Sequence, residues 1–292
     1  MTGQTYTLGF VGIGLMGRPM TLRLLAAGFS VNVWNRSADK LDEVIAAGAK
    51  ACSSIGELVA ASDVVILCLA DTPVVETVVM LDVAAHGGAD KLLIDLSSIH
   101  PETTRQLAAH LQAICGMRWV DAPVSGGTAG AEQGTLAIMA GGAVEDIVIA
   151  REVLKPLYSR LTHMGPIGSG QATKICNQMI VSCNVLVIAE MMALAKAAGV
   201  DAAKIPEALA GGFADSKPLQ IVGPEMADNR FEPVKWRVKT LLKDLNMAVD
   251  LSGKQGSAVP MSGLAAQLMQ LHGSHGFLEQ DPSTLIKLYS QD

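Results

Sequence analysis

Residues 168 to 199 read GSGQATKICNQMIVSCNVLVIAEMMALAKAAG, with no proline anywhere and no glycine between Gly170 and Gly199. Apolar side chains recur at steps of three and four (Ile175, Met179, Leu186, Ala189, Ala193), which is the spacing of one helix face. The run predicts a single helix of about 27 residues, roughly 40 Å long at about 1.5 Å per residue. A helix of that length reaches from one domain into another. Upstream of it, strand and helix patterns alternate; downstream, only helical patterns occur. The chain therefore reads as two domains: residues 1–165, an α/β domain, and residues 166–292, an all-helical one, joined by the long helix. Lys174 and Asn177 lie three apart near its start and so share a face.

The first domain opens on a short apolar strand, Thr7–Val11, that runs into Gly12-Ile13-Gly14-Leu15-Met16-Gly17, a helical pattern through Ala27, and a second strand at Ser30–Trp34. Glycines spaced GxGxxG between a strand and a helix point to a dinucleotide-binding turn. Gly12 permits the tight turn, Gly14 admits a pyrophosphate to the backbone, and Gly17 lets helix and strand pack closely. The helix N-terminus then offers free N–H groups to the phosphates. At the end of the second strand, where an NAD site usually carries a carboxylate, stand Asn35-Arg36-Ser37. No acid is present to repel a 2′-phosphate, and Arg36 can pair with one. NADP is favoured, with NAD as the alternative if Arg36 lies across the adenine or faces solvent.

Further strands are expected at Asp63–Leu69, Leu92–Asp95, Met117–Asp121, Gly134–Gly142 and Leu161–Met164. Their alternation with helices implies a doubly wound, mostly parallel sheet. Ligands bind at the C-terminal ends of such strands, which places Ala70-Asp71-Thr72-Pro73 near a site; the Leu92–Asp95 strand ends in Leu96-Ser97-Ser98. Between two of the strands, Asp121–Gly130 (DAPVSGGTAG) offers a Ser125 hydroxyl followed by two side-chain-free N–H groups at Gly126 and Gly127. That is a nest for a small carboxylate, or else an ordinary glycine-rich loop. In the second half, helices are expected at Ala202–Leu209, Val238–Ser252, Pro260–Leu271 and Ser283–Leu288, with a polar segment from Gly211 through Pro233.

Composition narrows the function. Charged residues make up 17% of the chain and the net charge is −6 without a basic run, so no nucleic-acid partner is expected. The six His show no ligand spacing, which argues against a metal site. The five Cys (52, 68, 115, 176, 183) include no CxxC and read as reduced packing residues of a cytoplasmic protein. No signal-peptide pattern is seen at the N-terminus. The long helix is apolar enough to raise a membrane span, but Asn184, Glu190 and Lys196 favour a soluble helix and no membrane partner.

Four motifs in order carry a resemblance: Gly12–Gly17, Asp121–Gly130, Gly168–Asn177 (GSGQATKICN) and Lys243-Asp244-Leu245. Together they resemble the β-hydroxyacid dehydrogenase family, which includes 3-hydroxyisobutyrate dehydrogenase and tartronate semialdehyde (2-hydroxy-3-oxopropionate) reductase. The resemblance implies a Rossmann-type domain followed by an all-helical domain, and a homodimer or homotetramer paired through the helical domain. It implies that Lys174 is the catalytic lysine and that Asn177 orients the substrate. Ser125, Gly126 and Gly127 would hold the substrate carboxylate, and Lys243 would approach both cofactor and substrate. Leu69, Ala70 and Ser98 would line the nicotinamide half of a site whose other half is Gly12, Ile13, Gly14, Leu15, Met16, Gly17, Asn35, Arg36 and Ser37. The implied reaction is NAD(P)-dependent hydride transfer between a small 3-hydroxy acid and its semialdehyde. Asn177–Val181 and Gly211–Ser216 are most similar to the tartronate semialdehyde branch; 3-hydroxyisobutyrate, succinic semialdehyde and glyoxylate are the alternatives. Lys174 separates the chain from imine reductase relatives and from a dinucleotide reader without turnover.

Overall fold

The computed structural model describes residues 6–289, which fall into two compact units divided after Lys174. The first holds a nine-stranded sheet. Its strands are β1 (Thr7–Val11), β2 (Ser30–Trp34), β3 (Lys50–Ala51), β4 (Val64–Leu67), β5 (Leu92–Asp95), β6 (Arg118–Asp121), β7 (Val124–Ser125), β8 (Leu136–Gly141) and β9 (Tyr158–Gly165). They lie in the order β3-β2-β1-β4-β5-β6-β8-β7, with β9 also on β8. Strands β1 to β6 run parallel, β8 is antiparallel to β6 and β7, and β9 is parallel to β8.

The central strands are apolar at nearly every position because helices cover both faces. Leu8, Phe10, Val64, Ile66, Leu92 and Ile94 enter one core with Met20 and Leu24 of helix Gly17–Ala26. Val11, Val65, Leu67 and Leu93 point the other way, into a second core with Leu107 and Leu111 of helix Pro101–Ile114. The two faces alternate residue by residue, as the period-2 pleat requires.

The second unit is helical. Its core gathers Val185, Ile188, Ala189 and Met192 of the long helix with Leu219, Val222 and Met226 of helix Lys217–Asp228. Leu241 and Leu245 of helix Val238–Gln255 and Met269 of helix Pro260–His272 complete it.

The long helix runs from Ser169 to Ala197, 29 residues. The division after Lys174 falls inside it, nine residues later than the boundary expected at 165. Its first turn is bonded to the sheet: Asp121, at the end of β6, accepts the Gly168 N–H at 2.7 Å and the Gln171 N–H at 2.9 Å. Other differences from the sequence reading have local causes. The residues after Gly126 form helix Gly127–Gln133 rather than continuing as loop. Helix Lys217–Asp228 replaces an expected polar segment; Ser216 caps it through the Leu219 N–H, and it tolerates Pro224 in its interior. The last element, Pro282–Leu288, is a 3₁₀ helix. All five cysteines are free, and Cys176 is exposed rather than packed.

Replacing Asp121 by Ala leaves two buried N–H groups without an acceptor. The expected loss of folding stability is about 2–4 kcal/mol, and Asp121→Asn, which keeps one acceptor, loses less. Denaturant unfolding of the two variants tests this; equal stability of parent and Asp121→Ala would dismiss the anchor.

Candidate active site

In the first unit the glycine turn has the geometry its spacing requires. Gly12 adopts φ +102°, and a Cβ there would stand 2.3 Å from the Cys68 carbonyl oxygen. A Cβ on Gly17 would stand 1.9 Å from the Gly12 carbonyl oxygen, so helix and turn touch backbone to backbone. A Cβ on Gly14 meets no atom within 4 Å. The turn is thus closed on the protein side at Gly12 and Gly17 and open at Gly14, which fits the approach of a dinucleotide pyrophosphate. Ile13 is buried, while Gly14 and Leu15 are exposed beside half-buried Met16.

Asn35 ties the second strand to this turn. Its Oδ1 accepts the Ile13 N–H at 3.0 Å and its Nδ2 donates to the Ser37 carbonyl at 2.8 Å. Arg36, between them, is exposed and makes no hydrogen bond or ion pair among the described residues. Asn35 therefore shapes the loop, and Arg36 is left available to a ligand.

At the end of β4, the Leu69 N–H donates to the Ser97 hydroxyl at 2.9 Å. Gln171 brackets Ser98 from both sides: its Oε1 accepts the Ile99 N–H at 3.1 Å and its Nε2 donates to the Ser97 carbonyl at 2.8 Å. Leu69 and Ser98 are half-buried and Ala70 is exposed. Gln171 was not foreseen from the sequence, although it stands three residues before Lys174 in the same motif. Ser125 ends β7, which pairs with β8 through Val124↔Ile138 and Ser125↔Ala137. Gly126 and Gly127 follow with φ +141° and +63°, conformations in which side chains strain. Space is open around Gly127.

Two buried carboxylates sit side by side under this surface. Asp95 and Asp121 are register partners at the ends of parallel β5 and β6, and both are fully buried. Burial pushes the Asp121 carboxyl up to about 6, against the N–H bonds from Gly168 and Gln171 that pull it down. Burial pushes Asp95 to about 7, against its bonds from Ser97, and the neighbouring Asp121 charge adds to the rise. Asp95 Oδ1 accepts the Ser97 N–H at 2.9 Å, while its Oδ2 is buried without a hydrogen-bond partner among the described residues.

Lys174 lies on the second turn of the long helix and is 9% exposed. Asn177 follows one turn later on the same helix, in the part assigned to the second unit. In that unit the Asn177 Nδ2 donates to Gln178 Oε1 at 2.8 Å. Gln178 Nε2 in turn donates to Asp244 Oδ2. Lys243 Nζ stands 3.4 Å from Asp244 Oδ1. Among the described residues no group of three or more His, Cys, Asp or Glu is placed to hold a metal ion.

Residues 7–165 match the family described as the NAD binding domain of 6-phosphogluconate dehydrogenase. Residues 168–289 match the family described as NAD-binding of NADP-dependent 3-hydroxyisobutyrate dehydrogenase. The chain is 34% identical to a 2-hydroxy-3-oxopropionate reductase of Escherichia coli, over 96% of each chain. It is 33% identical to an NAD-dependent L-serine dehydrogenase of Pseudomonas aeruginosa, over 97% of each. A solved Mycobacterium tuberculosis 3-hydroxyisobutyrate dehydrogenase with L-serine is 31% identical and matches with a TM-score of 0.87, covering 97% of this chain and 99% of that one.

Asp95 binds protons more tightly in the folded chain, at about 7 against 3.8 for a free side chain. Its contribution to stability is therefore complete below about pH 4 and is lost as pH rises through about 7. Asp95→Asn removes that titration. The unfolding free energy of the variant minus that of the parent should rise between about pH 4 and 7 and level off above; a flat difference across that range would show that Asp95 is not held protonated.

Proposed function

Because the chain belongs to the 3-hydroxyisobutyrate dehydrogenase-like family of β-hydroxyacid dehydrogenases and is an NAD(P)-dependent hydroxyacid oxidoreductase, we propose that it reduces 2-hydroxy-3-oxopropionate, with NADPH as preferred cofactor. The observation that carries the catalytic reading is the buried Lys174 one helical turn from Asn177, on a helix bonded to the strand-end loops of the first unit. The substrate reading is supported by similarity to the Escherichia coli reductase. The NADP reading is supported by the uncommitted Arg36 at the end of β2, where no carboxylate stands.

When bound, the nicotinamide cofactor supplies the hydride in reduction and accepts it in oxidation. The residues do the rest. The glycine turn Gly12–Gly17 and Arg36 would hold the dinucleotide, and Leu69, Ala70 and Ser98 would line its nicotinamide half. Ser125, Gly126 and Gly127 hold the substrate carboxylate and so fix which carbon faces the hydride. As the aldehyde carbon gains hydride, its oxygen gains negative charge. The Lys174 ammonium stabilises that charge and transfers one proton to the oxygen, which becomes the alcohol. Lys174 is left as a neutral amine and regains its proton from solvent. In oxidation the neutral amine takes the hydroxyl proton instead. Lys243 would supply a second cation, the role its Lys243-Asp244-Leu245 motif implies.

The chain also acts as a homodimer or homotetramer in the cytoplasm, where five unbridged cysteines stay reduced. The long helix is long and apolar enough to cross a membrane by length and composition. Burial of Val185, Leu186, Ile188, Ala189 and Met192 in the second unit's core supports a soluble role. Ile180, Val187 and Leu194 are 72%, 55% and 70% exposed. At seven-residue steps they form one stripe, which we assign to subunit pairing. Sedimentation should give a mass at least twice the 30.5 kDa of one chain; a monomer would refute the assignment.

Initial rates on 2-hydroxy-3-oxopropionate should be higher with NADPH than with NADH. Lys174→Ala should lower kcat/KM by about 10²–10⁴ while leaving NADPH affinity within a few-fold. Normal turnover by that variant would end the proposed mechanism, and an NADH preference would end the Arg36 reading.

A further inference from the structure

The hydrogen bonds from Asn177 through Gln178 to Asp244 run in one direction only, and that direction determines what Asn177 shows a substrate. An ionised carboxylate accepts hydrogen bonds and donates none. Asp244 is 2% exposed and forms an ion pair with Lys243, whose Nζ stands 3.4 Å from its Oδ1. The amide facing it must therefore present its NH₂ group, and Gln178 does, through Nε2 to Asp244 Oδ2. Gln178 turns its Oε1 toward Asn177, and Asn177 answers with Nδ2, at 2.8 Å. The orientation of a side-chain amide is otherwise ambiguous between its oxygen and its nitrogen; here a charge two side chains away fixes it. What remains on Asn177 is Oδ1, which accepts no hydrogen bond among the described residues, together with the second Nδ2 hydrogen.

We propose that Gln178 and Asp244 are positioning residues that lock Asn177 with its carbonyl oxygen toward the substrate, and that the site thereby selects 3-hydroxy acids and semialdehydes carrying a hydrogen-bond donor on C2. A hydroxyl or an ammonium on C2 meets the Asn177 oxygen. A methyl group there leaves that oxygen unpaired when water is excluded, a mismatch that rejects the analogue more strongly than a change of size alone. The inference rests on the reading that Lys174 takes the reacting oxygen at C3, since Asn177 lies one turn along the same helix and is assigned to the neighbouring carbon. It goes beyond that reading by naming the chemistry of the C2 substituent and the two residues that impose it.

The test is binding rather than turnover. The full chain is saturated with NADPH, so that alcohols bind without reacting, and titrated calorimetrically with DL-glycerate, L-serine and DL-3-hydroxyisobutyrate. Glycerate or L-serine should bind at least about tenfold tighter than 3-hydroxyisobutyrate, and the order of those two tells whether hydroxyl or ammonium is the better donor. Gln178→Met keeps length and removes the amide. It should bring the ratio to within about threefold, mainly by weakening the donor-bearing ligand, with NADPH affinity and circular dichroism unchanged. If that variant does not fold, Asp244→Asn, which removes the charge that sets the direction, should have the same effect on the ratio. A parent ratio near one, or a ratio that survives Gln178→Met in a folded protein, overturns the inference. Failure of all three ligands to bind the NADPH-loaded chain overturns it together with the site reading. Full activity of Lys174→Ala would overturn the catalytic reading and, with it, the assignment of C2 to Asn177, whereas a parent ratio near one would overturn the inference and leave the catalytic reading standing.

Discussion

The structure hangs on a carboxylate placed where a helix begins. The first N–H groups of a helix have no partners within it, and they stand at the positive end of its dipole. Asp121, at the last position of β6, accepts two of them, from Gly168 and Gln171. The fit is close enough to exclude side chains around it. A Cβ on Gly141 would lie 2.6 Å from Asp121 Oδ1, and one on Gly170 would lie 2.4 Å from the Met139 carbonyl oxygen. The long helix is thus bolted to the sheet at its first turn. Gln171, on that turn, reaches the loop after β5 through two further bonds. Lys174, three residues on, inherits its position from these contacts.

Holding a charge there opposes folding as well as aiding it. Burial raises both Asp121 and its neighbour Asp95, even though each accepts hydrogen bonds. For each group, desolvation outweighs the hydrogen bonds that stabilise its ionised form. The strand ends therefore trade stability for placement, a trade that recurs where a site must be held rigid. Asp95 Oδ2, with no hydrogen-bond partner among the described residues, marks where the trade is least complete.

Much of this architecture could be read from residue order. Apolar runs such as Val64–Leu67 and Leu92–Asp95 announced strands covered on both faces, and a proline-free stretch announced the long helix, because periodicity and breaker residues are local signals. The glycine turn was legible for the same reason: each glycine has its own steric need, and Gly12, Gly14 and Gly17 meet three different ones. What escaped was nonlocal or masked. Helix Lys217–Asp228 carries an internal proline and a polar approach, so its pattern read as a polar segment. Helix Gly127–Gln133 was hidden by its glycines. The partners that position the site residues escaped for another reason. Gln171, Gln178 and Asp95 are ordinary polar residues in sequence, and only the fold brings Gln178 to Asp244, 66 residues away.

Asp121 and Asp244 act by the same logic in the two units. Each is a buried acceptor with nothing to donate, so each dictates which atoms its neighbours must turn toward it. Around Asp121 the neighbours are backbone N–H groups, whose direction the peptide already fixes; the carboxylate selects where the helix starts. Around Asp244 the neighbour is a side-chain amide, which could face either way; the carboxylate selects a polarity and passes it through Gln178 to Asn177. An Asp-to-Asn change keeps the shape at either place but not the consequence. At position 121 an amide still accepts one N–H, and the helix start survives in part. At position 244 an amide faces an amide, either orientation satisfies both, and the polarity handed to Asn177 is no longer determined. Charge at the first site sets position; charge at the second sets hydrogen-bond direction.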